Sequence, residues 1–150
     1  MKAVAQTRFG PLCIEGNATH IVALHWHGVA SNEDTPLLKE AVLQLEAYAA
    51  GALTAFDLPL APQGSGFQQQ VFAALQDIPY GETLTYGEIA QQLACPAQPV
   101  GQACGANPIP VIIPCHRVLS KTGIGGFSGV GGVETKIALL KHEGGFPFLL

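Results

Sequence analysis

Apolar positions along the chain come first in short runs and later at helical spacing. Leu12-Cys13-Ile14-Glu15 and His20-Ile21-Val22-Ala23-Leu24-His25-Trp26 predict two strands, with Gly16-Asn17 as the turn between them. Leu38, Val42, Leu45 and Ala49 then recur at helical spacing. Thr35 suits the N-cap of that helix and Pro36 its first turn, and Gly51 stops it. Residues 54–58 are expected to return to the sheet. Leu58-Pro59-Leu60-Ala61-Pro62-Gln63-Gly64 is rich in Pro and Gly and free of charge, as a linker is. The expected division is a sheet-plus-helix domain over 1–60 and a second domain over 65–150.

The second part has a different texture. Ser65-Gly66-Phe67-Gln68 reads as a capping box opening a helix that carries Phe67, Val71, Phe72 and Leu75 on one face and ends near Asp77-Ile78-Pro79. Thr85-Tyr86-Gly87-Glu88 is a second capping box, before a short helix with Ile89, Ala90 and Leu93 apolar. Pro96 ends that helix; Gln98-Pro99-Val100-Gly101 starts another, which Asn107-Pro108 must end. Two short helices across a tight break form a helix-turn-helix pattern, found both in DNA-binding proteins and in plain helical corners. Ile109-Pro110-Val111-Ile112-Ile113-Pro114 carries two prolines in an apolar run and reads as an edge strand or extended segment. After a glycine-dense stretch over 123–132, a last helix is expected with Val133, Ile137 and Leu140 inward, closed by Gly144-Gly145. The fold class is α/β, with sheet and helix first and a mainly helical second part.

Composition sharpens this picture. With 48% hydrophobic and 12% charged residues in 150, the chain can bury a core, and wholesale disorder is excluded. Lys+Arg is 7 against Asp+Glu 11, a net charge of -4, so no polybasic tail exists and a nucleic-acid partner would be held with few formal charges. No apolar run reaches the length of a membrane span, and the first residues show no hydrophobic signal segment. The four cysteines, Cys13, Cys95, Cys104 and Cys115, have no Cys-x-x-Cys spacing and read as reduced thiols of a cytoplasmic protein.

Pro114-Cys115-His116-Arg117-Val118 is the string with chemical content. An imidazole near a thiol can take its proton and stabilise the nucleophilic thiolate. Adjacency alone does not bring them together, because neighbouring side chains of an extended chain point to opposite faces, so contact requires a turn or a bridging water. A buried cysteine beside a surface histidine is the structural alternative. Asn107 can brace a turn just upstream, the loop Gly123-Ile124-Gly125-Gly126-Phe127-Ser128-Gly129 lets a substrate approach the backbone, and Glu143 can supply a carboxylate to orient the imidazole.

Asn107-Pro108-Ile109-Pro110, Ile113-Pro114-Cys115-His116-Arg117-Val118, the Thr85-Tyr86-Gly87-Glu88-Ile89-Ala90 helix and the final Leu139-Leu140-Lys141-His142-Glu143-Gly144 together resemble the O6-alkylguanine-DNA alkyltransferases. The likeness runs from about Gly66 to Gly144; the first 60 residues match loosely, in layout, the ribonuclease H-like domain of that family. The resemblance implies a winged helix-turn-helix second domain and a single-turnover transfer of an alkyl group from O6 of guanine, or O4 of thymine, to Cys115. It implies that His116, acting through water, and Glu143 form the relay that makes the thiolate, and that Asn107 braces the turn between recognition helix and active-site strand. Tyr86 would protonate the leaving guanine, with Pro110, Val118 and Ser128 around the base. Thr85, Gln98 and Gln102 would face the DNA. Gln98 stands where members usually carry an arginine, and Gln91 to Cys115 contains no charged residue. The implied partner is double-stranded DNA containing O6-alkylguanine, weakly captured, with single-stranded DNA as a second candidate. No cofactor, metal or membrane is implied, and the expected state is a monomer.

Other readings stay open at this level. His20, His25 and His27 near Cys13 offer zinc-type ligands but lack a second pair at finger spacing. A lesion-binding sensor of the same fold is one rival function, which the presence of Cys115 argues against; a thiol alkyl acceptor working on non-duplex substrates is another.

Overall fold

In the computed structural model the chain divides inside its uncharged Pro-rich segment, giving one unit over Met1–Gln63 and another over Gly64–Leu150. The structure describes residues 1–31, 35–126 and 132–144. The mixed α/β class expected from the pattern is the one observed.

The first unit is an antiparallel sheet of β1 (Lys2–Thr7), β2 (Gly10–Gly16) and β3 (Ile21–His25), in that order, with α1 (Pro36–Ala49) against β1 and β2. Thr35 caps α1 by accepting a 3.2 Å bond from the Leu38 amide, and Pro36 sits in the first turn. Leu38, Ala41, Leu45, Tyr48 and Ala49 are the buried face of α1, and Ala5, Leu12, Ile14, Ile21 and Leu24 are buried from the sheet. The pattern missed β1. Val4 is the one strongly apolar residue in Lys-Ala-Val-Ala-Gln-Thr, so the strand is created by pairing, Val4 opposite Cys13 and Ala5 opposite Leu12, more than by its own propensity. Residues 54–58 do not return to the sheet. The side chain of Gln44 takes the place of a ladder partner there, accepting from Asp57 N at 2.9 Å and donating to Asp57 O at 3.0 Å. The chain rejoins two residues later than expected, where Leu60 bridges Ile21 in parallel.

In the second unit, α2 (Gly66–Gln76), α3 (Tyr86–Leu93) and α4 (Ala97–Gly105) pack on one another. Both capping boxes form, Ser65 with Gln68 and Thr85 with Glu88. Ala94 closes α3 in the left-handed region at φ 54, and Pro96 then enters α4, which makes the break between the two helices. Val71, Phe72, Leu75, Ile89, Val100, Ile109, Ile113, Leu139 and Leu140 are buried here. The segment over 109–114 is a succession of tight turns and not a strand. Ile113 N bonds Ile109 O at 2.9 Å, Ile112 N bonds Pro110 O at 2.9 Å, and Val111 adopts φ 72. A β-branched residue in that region is strained, by about 1–3 kcal/mol. A 3-10 turn over Cys115–Arg117 follows, then β5 (Val118–Leu119), which pairs in parallel with β4 (Leu84–Thr85). That short ladder fixes the start of α3 beside the end of the Cys-His-Arg turn.

The last helix, α5 (Val133–Glu143), turns Leu140 inward as expected but not Val133. Lys136, Leu139, Leu140 and Glu143 are buried, while Val133 is 42% exposed. The inward stripe carries two charged side chains, so a search for apolar residues alone finds only part of it. No helix among the described residues is long and apolar enough to cross a membrane.

Candidate active site

The site begins with the turn. Because Cys115, His116 and Arg117 lie in a 3-10 turn, their side chains fan out instead of alternating, and all three are buried. Asn107 holds the chain leading into it. Its side-chain amide donates to Ile113 O at 2.8 Å while its oxygen accepts from Ile109 N at 3.0 Å, pinning both ends of the strained Val111 segment. Asn107 thus ties the end of α4 to the turns that lead into Cys115.

Behind Cys115 lies a buried charge network. His116 Nε2 donates to Glu143 Oε2 at 2.7 Å. Arg117 donates to the same carboxylate through Nε, at 2.8 Å to Oε1, and through Nη2, at 3.2 Å to Oε2. Its Nη1 donates to Ile78 O at 2.6 Å, and its guanidinium lies 5.8 Å from the centre of the Tyr80 ring. The Tyr80 hydroxyl in turn donates to His142 O at 3.3 Å. Burial alone would raise the Glu143 carboxyl, but the hydrogen bonds and charges of His116 and Arg117 outweigh it and hold it down at about 2. Glu143 is therefore ionised. Burial pushes the His116 imidazole down, with Arg117 and Lys136 adding to that against the pull of Glu143, so the ring rests neutral. With its proton on Nε2 facing Glu143, the ring leaves Nδ1 as an acceptor, and that buried atom has no hydrogen-bond partner among the described residues.

The thiol is 6% exposed, and burial raises its pKa; Asn107, by hydrogen bonding, and the Lys136 charge pull the other way. Cys115 therefore rests as a protonated thiol and needs a base at the moment of reaction.

A second group of side chains meets above the turn. Tyr86 is the first residue of α3, and burial lifts its phenol to about 12, with Cys104 and Cys115 adding to this when they ionise. The Lys136 ammonium lies 5.7 Å from the centre of that ring and donates to Gly126 O at 3.1 Å and to Val118 O. Burial lowers Lys136 to about 8. Gly125, at φ +77, makes room for both: a Cβ there would stand 3.1 Å from Tyr86 and 3.4 Å from Lys136.

The other expected residues are distributed as follows. Val118 is buried with its carbonyl engaged by Lys136, and Pro110 is half-buried next to Val111. Thr85 uses its hydroxyl oxygen to cap α3, accepting from Glu88 N at 3.1 Å. Gln98 and Gln102 are exposed on α4. Ser128 lies outside the described residues. In the other unit His25 Nε2 meets Glu15 Oε1 at 2.8 Å, and no group of three or more His, Cys, Asp or Glu among the described residues could hold a metal.

Sequence reasoning gave no role to Arg117 or Lys136. Arg117 passed as a letter of the motif. Lys136 had a usable signal: counting back from Glu143, positions 140, 139 and 136 share its face of the helix.

A buried thiol, a neutral imidazole beside it in one turn, and a fixed carboxylate behind the imidazole are the equipment of a protein that uses cysteine as a nucleophile. Comparison with known proteins narrows the class. Residues 66–145 match the DNA binding domain, and residues 1–62 the ribonuclease-like domain, of 6-O-methylguanine DNA methyltransferase, and the chain belongs to that family. It is 39% identical over 153 residues to the methylated-DNA–protein-cysteine methyltransferase of Methanosarcina acetivorans, covering 95% of this chain and 97% of that one. Among solved structures it is similar to Mycobacterium tuberculosis O6-methylguanine methyltransferase, with TM-score 0.85 and 40% identity over 95% of this chain and 92% of that one. It is also similar to the M. tuberculosis protein OGT solved in complex with DNA, with TM-score 0.84 and 43% identity over 94% and 91%.

Proposed function

We propose that this protein repairs DNA by a direct, single-turnover transfer of an alkyl group from O6 of guanine to Cys115. The observation that carries the reading is the His116–Glu143–Arg117 network behind a buried thiol. His116 Nδ1 takes the Cys115 proton, directly or through one water, and Glu143 stabilises the imidazolium that forms. The sulfur attacks the alkyl carbon, so that an S–C bond forms as the C–O6 bond breaks. The guanine leaves with negative charge, and Tyr86, whose phenol stays protonated up to about 12, neutralises it by giving up its proton. The Lys136 ammonium favours negative charge on Cys115 and lies beside Tyr86. The product is a thioether with no evident exit, so each molecule acts once.

The target base must leave the helix stack to reach a thiol as buried as this one. The helix pair α3–α4 is the surface proposed to meet DNA, with Thr85, Gln98 and Gln102 on it, and Pro110, Val118 and Ser128 are proposed to line the base. The unit over 65–150 would thus carry both binding and transfer, as a monomer that needs no cofactor. A thiol acceptor has to stay reduced, which suits a cytoplasmic setting. The test is a comparison of wild type with Cys115→Ser on an oligonucleotide carrying O6-methylguanine. Loss of transfer with retained binding supports the reading; transfer by the serine variant refutes it.

A further inference from the structure

The two helices proposed to meet DNA are unusual for a nucleic-acid surface in what they expose. Gln91 and Gln92 on α3, and Gln98 and Gln102 on α4, are all exposed, and neither helix contains a Lys or Arg. Their one charged residue is Glu88, whose carboxylate accepts from the Thr85 amide at 2.9 Å. Residues 64–150 hold four cations in all, Arg117, Lys121, Lys136 and Lys141. Arg117 and Lys136 are buried and spent on Glu143, Ile78 O, Val118 O and Gly126 O. Lys121 and Lys141 are exposed and lie outside both helices. Asp77, Glu82, Glu88 and Glu134, all exposed, outnumber them.

A surface of this kind gains little from phosphate. Each neutralised phosphate contributes about −0.9 to the slope of log affinity against log salt on duplex DNA, so two cations give at most about −1.8. Glutamine amides offer something different. Each donates and accepts, which matches the mixed donor and acceptor edges of bases, and those edges are open where a base is unpaired. Drawing a base out of an intact duplex costs energy that contacts must return, and the cost is least where the base is already mispaired or in a single strand.

We infer that the glutamine-lined face of α3 and α4 takes a strand whose target guanine is already out of the stack, in single-stranded or mispaired DNA, in preference to an intact duplex. The inference rests on the reading of Cys115 as the alkyl acceptor and specifies its substrate.

The full-length protein is tested in single-turnover transfer from one O6-methylguanine sequence in three forms: single strand, duplex with the lesion opposite an abasic site, and duplex with it opposite cytosine. Transfer is expected to be about tenfold or more faster on the first two forms. A tenfold rise in salt is expected to slow capture by no more than about 60-fold. The double variant Gln98→Lys/Gln102→Lys is expected to speed the cytosine-paired duplex most and to steepen its salt slope by about 1.8. Equal or faster transfer on the cytosine-paired duplex, or a wild-type slope steeper than about −3, overturns the inference while leaving alkyl transfer in place. An unchanged salt slope in the double variant also overturns it, because the face would then not touch the strand. Absence of transfer from all three forms refutes the alkyl-transfer reading itself, and this inference with it.

Discussion

Replacing Glu143 by glutamine keeps the size of the side chain and one acceptor, but removes the charge that two partners share. His116 Nε2 and Arg117 Nε lie 2.7 and 2.8 Å from its two oxygens, all of them buried. In the proposed reaction His116 becomes an imidazolium as it takes the thiol proton. With roughly 4 Å between charge centres and an effective dielectric of about 20, the carboxylate favours that cation by about 4 kcal/mol. At about 1.4 kcal/mol per decade the variant should transfer alkyl groups about 10³-fold more slowly. The same change leaves the Arg117 guanidinium buried without its anion, a loss on the order of 3 kcal/mol. That is a large fraction of a domain's usual ~5–15 kcal/mol, so the variant should melt several degrees lower yet remain folded at low temperature. The assay is single-turnover transfer from an O6-methylguanine oligonucleotide in the cold, followed by intact mass, with melting measured on the same samples. A folded Glu143→Gln variant that transfers within about threefold of wild type would refute the relay, since no other carboxylate is bonded to His116 among the described residues.

Three further outcomes follow from the same geometry. Asn107→Ala should destabilise the second unit by about 2 kcal/mol and slow transfer, because Ile109 N loses its partner, Ile113 O keeps only the bond from Cys115 N, and the strained Val111 turn is released; unchanged melting would show that the brace is idle. Because burial holds His116 below the ordinary 6.5, the transfer rate should stay level as pH falls through 6.5 and decline only in more acid buffer; a rate that halves at 6.5 would contradict a buried neutral base. Lys136 is lowered to about 8, so the unfolded chain binds more protons than the folded one above that pH, and stability owed to this group rises there. Relative to wild type, Lys136→Met should therefore melt highest near pH 7 and lose that advantage toward pH 9; a constant difference would show that the ammonium does not titrate.

Wherever structure followed from local chemistry, it was legible in the sequence. Both capping boxes and the Thr35-Pro36 entry to α1 needed no tertiary information. What escaped was made by partners distant in sequence. β1 exists because β2 pairs with it, and β4 because β5 reaches it from Val118. The turns over 109–114 look like a strand by composition, and it takes their own backbone bonds together with those of Asn107 to make them turns. At the site, the Cys115–His116–Glu143 set was readable through the motif, and the structure joins His116 to Glu143 across 27 positions. Arg117 and Lys136 were not readable as functional, because long charged side chains normally belong to the surface, and it takes a bonded interior to reverse that expectation.

The central claim is that Cys115 keeps the alkyl group it removes. The most direct measurement is peptide mapping by mass spectrometry after the full-length protein has consumed an excess of O6-methylguanine oligonucleotide. One methyl group per molecule on the peptide containing Cys115, with transfer stopping at equimolar repair, is the predicted result. Methyl groups on Cys13, Cys95 or Cys104, or repair continuing beyond one lesion per molecule, would contradict it.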